Sequence, residues 1–106
     1  MSSESLIPQE RIQQYIYVLR GQRVILDRDL AVLYGTNTSQ LKQAVRRRIS
    51  RFPEDFMFEL SEQEFSELKQ LVYGKAWGGT RYPPMAFTEQ GVAMLSSVIN
   101  SDQASR

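Results

Sequence analysis

Apolar residues fall in short runs along this chain, and the spacing inside the runs changes from one to the next. Tyr15 to Leu19 is dense in aromatic and β-branched residues, and Arg23 to Leu26 repeats that character after Gly21-Gln22. The two runs predict a β-hairpin with glycine first in a two-residue loop. The spacing then becomes helical: Leu30, Ala31, Leu33 and Tyr34 share one face, Asp27 is the expected N-cap, and Gly35 suits a left-handed stop. After Thr36-Asn37, Thr38 or Ser39 can cap a second helix running to about Ser50, where Phe52-Pro53 forces the backbone out of helical geometry.

Phe56 to Leu60 alternates poorly but is short and apolar, which predicts a buried strand. Ser61 and Glu64 have capping-box spacing, and Phe65, Leu68 and Val72 recur at helical intervals behind them, so a helix should run to near Tyr73-Gly74. Trp77-Gly78-Gly79-Thr80-Arg81-Tyr82 places a Gly-Gly turn between aromatics and predicts a second hairpin or an extended loop, limited to an edge by Pro83-Pro84. Beyond Met85-Ala86-Phe87, Thr88 caps a last helix whose Val92, Ala93, Leu95, Val98 and Ile99 face inward. The elements describe an α+β protein: one small domain with a β-hairpin, a helix-turn-helix-like helix pair, further short strands and two more helices. Residues 1–10 are expected to be a flexible arm, 11–100 the domain, and 101–106 a flexible tail.

Composition narrows the chemistry. At 106 residues and 42% hydrophobic content the chain should bury a single modest core. It has neither cysteine nor histidine, which removes disulfides, thiolate metal sites, a cysteine nucleophile and the commonest general base. No stretch approaches the ~20 apolar residues of a membrane span, and the amino-terminal residues lack a basic region followed by an apolar run. A cytoplasmic protein without cofactor or catalytic role is the expectation.

The net charge of +1 hides a segregated distribution. Between Asp29 and Glu54 the sequence has no acidic residue, yet it holds Lys42, Arg46, Arg47, Arg48 and Arg51, and the stretch that follows, Glu54 to Glu67, is acidic. At about 100° per residue, Leu41, Ala44, Val45 and Ile49 gather on one side of the second helix, and Ser39, Lys42, Gln43, Arg46, Arg47 and Ser50 spread over the other. A solvated helix face explains three arginines by themselves. An apolar helix before them, a glycine turn and an acid-free window together favour nucleic acid, with the second helix in the major groove.

The residues assigned to that contact are Ser39, Gln40, Lys42 and Gln43 for base edges and Arg46, Arg47 and Arg51 for phosphates, because amides suit adenine, cations suit guanine, and early helix positions reach deepest. Lys75 and Arg81, on the predicted Gly-Gly hairpin with Trp77 and Tyr82, are candidates for a phosphate-contacting wing, and Trp77 and Tyr82 serve equally well as covers for the core. Arg48 projects among Leu41, Ala44 and Val45, so it must snorkel or pair with a carboxylate such as Glu54 or Asp55.

Three blocks, LDRDLAVLYG, RFPEDFMFEL and AFTEQGVAML, resemble in order and spacing the KilA-N superfamily, in particular its ORF-six N-terminal subfamily. The similarity spans about residues 12 to 100. It implies a small α+β domain that binds double-stranded DNA, often at the front of a phage-derived regulator or antirepressor with a variable C-terminal region. The chain departs from the family pattern at Lys42 and Arg48, where Asn is common, and at Thr80, where Arg is common. Double-stranded DNA is therefore the first expected partner, a repressor or other regulatory protein the alternative, and a homodimer is compatible with either.

Overall fold

The computed structural model describes residues 13–71 and 82–104. Strands β1 (Ile16–Leu19) and β2 (Gln22–Leu26) form the first hairpin, with Leu19 opposite Gln22. The loop is therefore Arg20-Gly21, one residue earlier than Gly21-Gln22, and both residues have positive φ, 53° and 73°. Two successive left-handed residues give the turn whose twist matches that of the strands. Arg20 is held in that strained conformation by contacts across the molecule. Its guanidinium lies 4.0 Å over the Phe58 ring and reaches both carboxylate oxygens of Glu64, each at 2.9 Å.

Helix α1 (Asp27–Leu33) follows β2 directly, with Leu26 rather than Asp27 at the cap position. Gly35 does end it in the left-handed conformation (φ 71°), and the N–H groups of Gly35 and Thr36 donate to the carbonyls of Val32 and Ala31. This is the paired closure of a Schellman motif. Helix α2 (Thr38–Arg47) comes next, then a 3-10 turn at Ile49–Arg51, strand β3 (Met57–Glu59), helix α3 (Glu62–Leu71), strand β4 (Met85–Phe87) and helix α4 (Glu89–Ala104). The capping box opens α3 as predicted: Glu64 N–H donates to Ser61 Oγ at 3.1 Å, and Ser61 N–H to Glu64 Oε1 at 2.8 Å. Helix α4 continues past Asn100 to Ala104, into the segment expected to be a tail. Trp77, Lys75 and Arg81, with most of the predicted Gly-Gly hairpin, lie outside the described residues.

The strands make one antiparallel sheet in the order β1-β2-β4-β3. The fold is α+β, with helices on both faces of that sheet. Ile25, Met57, Met85 and Phe87 point to one side, where they pack with Leu30 and Ala31 of α1, Leu41, Ala44 and Val45 of α2, and Leu95 and Val98 of α4. Val24, Leu26, Phe58 and Ala86 point to the other and meet Phe65 and Leu68 of α3. The sheet thus divides the single expected core in two. Burial on both faces is why Phe56 to Leu60 reads as a continuous apolar run and not as an alternation.

Helix α4 is seated by its first turn. Thr88 caps it, accepting from the Gly91 N–H at 3.3 Å, while its own hydroxyl donates to the carbonyl of Asp55 at 2.7 Å. A Cβ at Gly91 would overlap the Phe56 carbonyl group, so only glycine allows this approach. Ala93, expected to face inward, is exposed, and Val92, Leu95, Val98 and Ile99 carry the contact instead. Among the described residues no helix is long and apolar enough to cross a membrane.

Candidate nucleic-acid interface

Helix α2 is built with two unlike sides. Leu41, Ala44 and Val45 are buried, and Ser39, Gln40, Gln43, Arg46 and Arg47 are exposed. Its start is fixed by Asn37, not by Thr38 or Ser39: the Asn37 side chain accepts from the Gln40 N–H at 2.8 Å. That cap frees Ser39 to stand on the exposed first turn. Connection to α1 runs through Tyr34, Gly35, Thr36 and Asn37, and the Tyr34 hydroxyl hydrogen-bonds Ser96 of α4, which ties the connection to the third helix on this side of the sheet.

The far end differs from the sequence expectation. The α-helix stops at Arg47, and Arg48 has φ −124° and ψ 37°, outside helical geometry. Projection at 100° per residue therefore fails from Arg48 onward. Arg48 is half-buried at the helix end, outside the helical row of Leu41, Ala44 and Val45, and Ile49, expected on the packing face, is 53% exposed. Ser50 and Arg51 lie in the 3-10 turn, both exposed. Arg46 and Arg47 occupy the last turn of α2, where the carbonyl end of the helix favours positive charge.

Lys42 sits differently from its neighbours. Its Nζ stands 3.5 Å from Oδ2 of Asp27, and its side chain is only 17% exposed. Asp27 is 2% exposed, and the same Oδ2 accepts from the Met85 N–H at 3.0 Å. Burial pushes the Asp27 carboxyl above its ordinary range, against the pull of the Met85 N–H and the Lys42 ammonium in the other direction. The cation assigned to base readout is thus engaged with a buried acid from the preceding helix.

An open groove runs along the exposed side of α2, lined by Thr38, Ser39, Lys42, Gln43, Arg46 and Tyr82. Tyr82 is 70% exposed, so it does not serve as a cover for the core. The two candidate regions of the sequence meet here, at least at Tyr82, which no local spacing relates to α2. Gln40 is partly committed, because its amide oxygen accepts from the Thr36 hydroxyl at 2.8 Å. Of the assigned residues, Ser39, Gln43 and Arg46 line the groove, Gln40, Arg47 and Arg51 are exposed beside or beyond it, and Lys42 lines it from a half-buried position. Among the described residues no group of three or more Asp or Glu side chains is arranged to hold a metal ion.

Comparison with known proteins gives one result at the level of family. A family model described as the ORF6N domain matches residues 14–98. No curated protein and no solved structure was found to match the chain.

Proposed function

The chain belongs to the ORF6N domain family, and from that membership we propose that it binds double-stranded DNA, with α2 as the element entering the major groove. The observation that carries the reading is the two-sided build of α2: a buried row of Leu41, Ala44 and Val45 seats it, and the opposite side presents hydroxyl, amide and guanidinium groups. Such a side can neutralise phosphates and read base edges at once. The resemblance to the KilA-N superfamily supplies the setting in this reading, transcriptional control in a phage or mobile element, exercised in the cytoplasm by binding alone.

Roles divide by position. Gln43 stands exposed in the groove, and its amide suits the two-bond contact with adenine better than that of Gln40, whose oxygen already accepts from Thr36. Ser39 reaches from the first turn, while Arg46, Arg47 and Arg51 near the C-terminal end neutralise the backbone. The pairing of α1 with α2 acts as a helix-turn-helix in this scheme.

Fluorescence anisotropy with a random-sequence duplex at several salt concentrations tests the reading. Arg46→Ala combined with Arg47→Ala lowers affinity for every sequence and flattens the slope of log K against log salt by about 0.9 for each phosphate that the variant no longer neutralises. An unchanged slope in the double variant removes DNA from this face. An exposed tyrosine beside arginines is also the composition of a protein-binding hot spot. Failure of the native protein to bind duplex at micromolar concentration and low salt therefore transfers the face to a regulatory protein of the kind an antirepressor engages.

A further inference from the structure

The proposed contacts make no use of Asp27, although it is the one fully buried carboxylate among the described residues. Its position is unusual in joining three elements: it begins α1, accepts from the first residue of β4 through the Met85 N–H at 3.0 Å, and faces the Lys42 ammonium of α2 at 3.5 Å. Lys42 also lines the open groove with Ser39, Gln43 and Arg46. Its ammonium therefore has two places to go, inward to Asp27 or outward along the groove, and the carboxylate holds it inward.

We propose that Asp27 is a positioning residue for the DNA-binding face: by drawing the Lys42 ammonium inward it withholds a phosphate contact from the groove, so that DNA meets Ser39, Gln43 and Arg46. An ammonium free in the groove adds affinity for every sequence alike, since phosphates carry no sequence information. Holding it back lowers binding to random DNA more than it lowers discrimination. The consequence for DNA rests on the reading of α2 given above; the hold of Asp27 on Lys42 belongs to the protein alone.

Asp27→Asn tests both halves. Asparagine keeps an acceptor for the Met85 N–H and removes the charge that attracts Lys42. The variant binds random duplex more tightly than the native protein, with a salt slope steeper by about 0.9, so that its advantage shrinks roughly 3.5-fold between 50 and 200 mM salt. Lys42→Gln in the native background leaves the slope unchanged. A native-like slope in Asp27→Asn, or a slope reduced by about 0.9 in Lys42→Gln, overturns the proposal. Should Asp27→Asn not fold, chemical labelling of Lys42 against Lys69 in the native protein decides whether the ammonium is held.

A measurement without DNA separates the two halves. Brief acylation with a water-soluble active ester, read by mass spectrometry, labels Lys42 more slowly than the exposed Lys69 in the native protein and at a comparable rate in Asp27→Asn. Equal labelling of both lysines in the native protein overturns the hold. If the native protein binds no duplex, the DNA reading fails, and labelling still supports or overturns what Asp27 does to Lys42.

Discussion

Replacing Gly91 with alanine sets two physical effects against each other. Gly91 lies in the first turn of α4, and in a helix interior alanine is favoured over glycine by about 1 kcal/mol. Helix propensity by itself thus predicts a more stable protein. Packing predicts the reverse. A Cβ on Gly91 would stand 2.7 Å from the carbonyl carbon of Phe56 and nearer still to its oxygen, where nonbonded carbon atoms need about 3.5 Å or more. The obstacle is backbone, so α4 and the segment before β3 must separate by about 1 Å or more. The Phe56 carbonyl accepts from the Thr88 N–H at 2.9 Å and the neighbouring Asp55 carbonyl from the Thr88 hydroxyl at 2.7 Å, and both bonds open with that separation. At a net of about 1 kcal/mol per bond, with ~1–3 kcal/mol for overpacking and the propensity gain deducted, the variant loses about 2–4 kcal/mol. For a domain of this size that lowers Tm by about 10 °C or more. Thermal melting followed by far-UV circular dichroism measures it, with Ser97→Ala on the exposed side of α4 as the propensity control. A Gly91→Ala protein that melts at or above the native temperature would falsify the packing account. The effect should also reach the candidate interface, because α4 holds Tyr34 through Ser96.

Two further predictions concern stability, and those for Arg46 with Arg47 and for Asp27 with Lys42 concern binding. The Arg20 guanidinium and the Ser61 N–H hold the Glu64 carboxyl down from 4.5 to about 2. A depressed pKa stabilises the fold above the unfolded value, and that contribution disappears as pH falls from 4.5 toward 2. Glu64→Gln keeps the capping-box reach to Ser61 and should flatten the acid side of the stability profile. With the Glu64 side chain 23% and that of Arg20 41% exposed, screening limits the difference to about 1 kcal/mol, read from urea midpoints between pH 5 and 2.5; parallel profiles for the two proteins would refute it. Gly35→Ala forces a Cβ into a backbone with φ 71° and should cost about 1–2 kcal/mol. Open space around that position means no clash adds to the loss, so a drop well beyond this range in chemical denaturation would point to a second cause.

Features set by partners a few residues apart were legible without coordinates. The capping box of Ser61 and Glu64, the left-handed stop at Gly35 and the buried row Leu41, Ala44 and Val45 all follow from local geometry, since each needs only the helix it belongs to. So does the division of α2 into a packing side and a polar side. Where one residue of local geometry changes, the reading slips: the hairpin turn moves to Arg20-Gly21 because Arg20 accepts a left-handed conformation, and Arg48 and Ile49 leave the helical projection because α2 ends at Arg47.

Tertiary structure alone decided the rest. The order β1-β2-β4-β3 inserts a strand from near the end of the chain beside β2, which no run of nearby residues encodes. That insertion buries the sheet on both faces and splits the core. It also brings the Met85 N–H to Asp27, 58 positions earlier, and so turns an apparent helix cap into a buried acid. Gly91 stands out in its helical block only once Phe56 is placed against it. Lys42 reads as one more cation of a basic face, and only the carboxylate beneath it shows that its charge is directed inward. Local sequence determines which side of α2 is polar, because helical periodicity is intrinsic to the backbone. Which of those polar groups is free to meet a partner depends on the distant residues that the fold delivers to them.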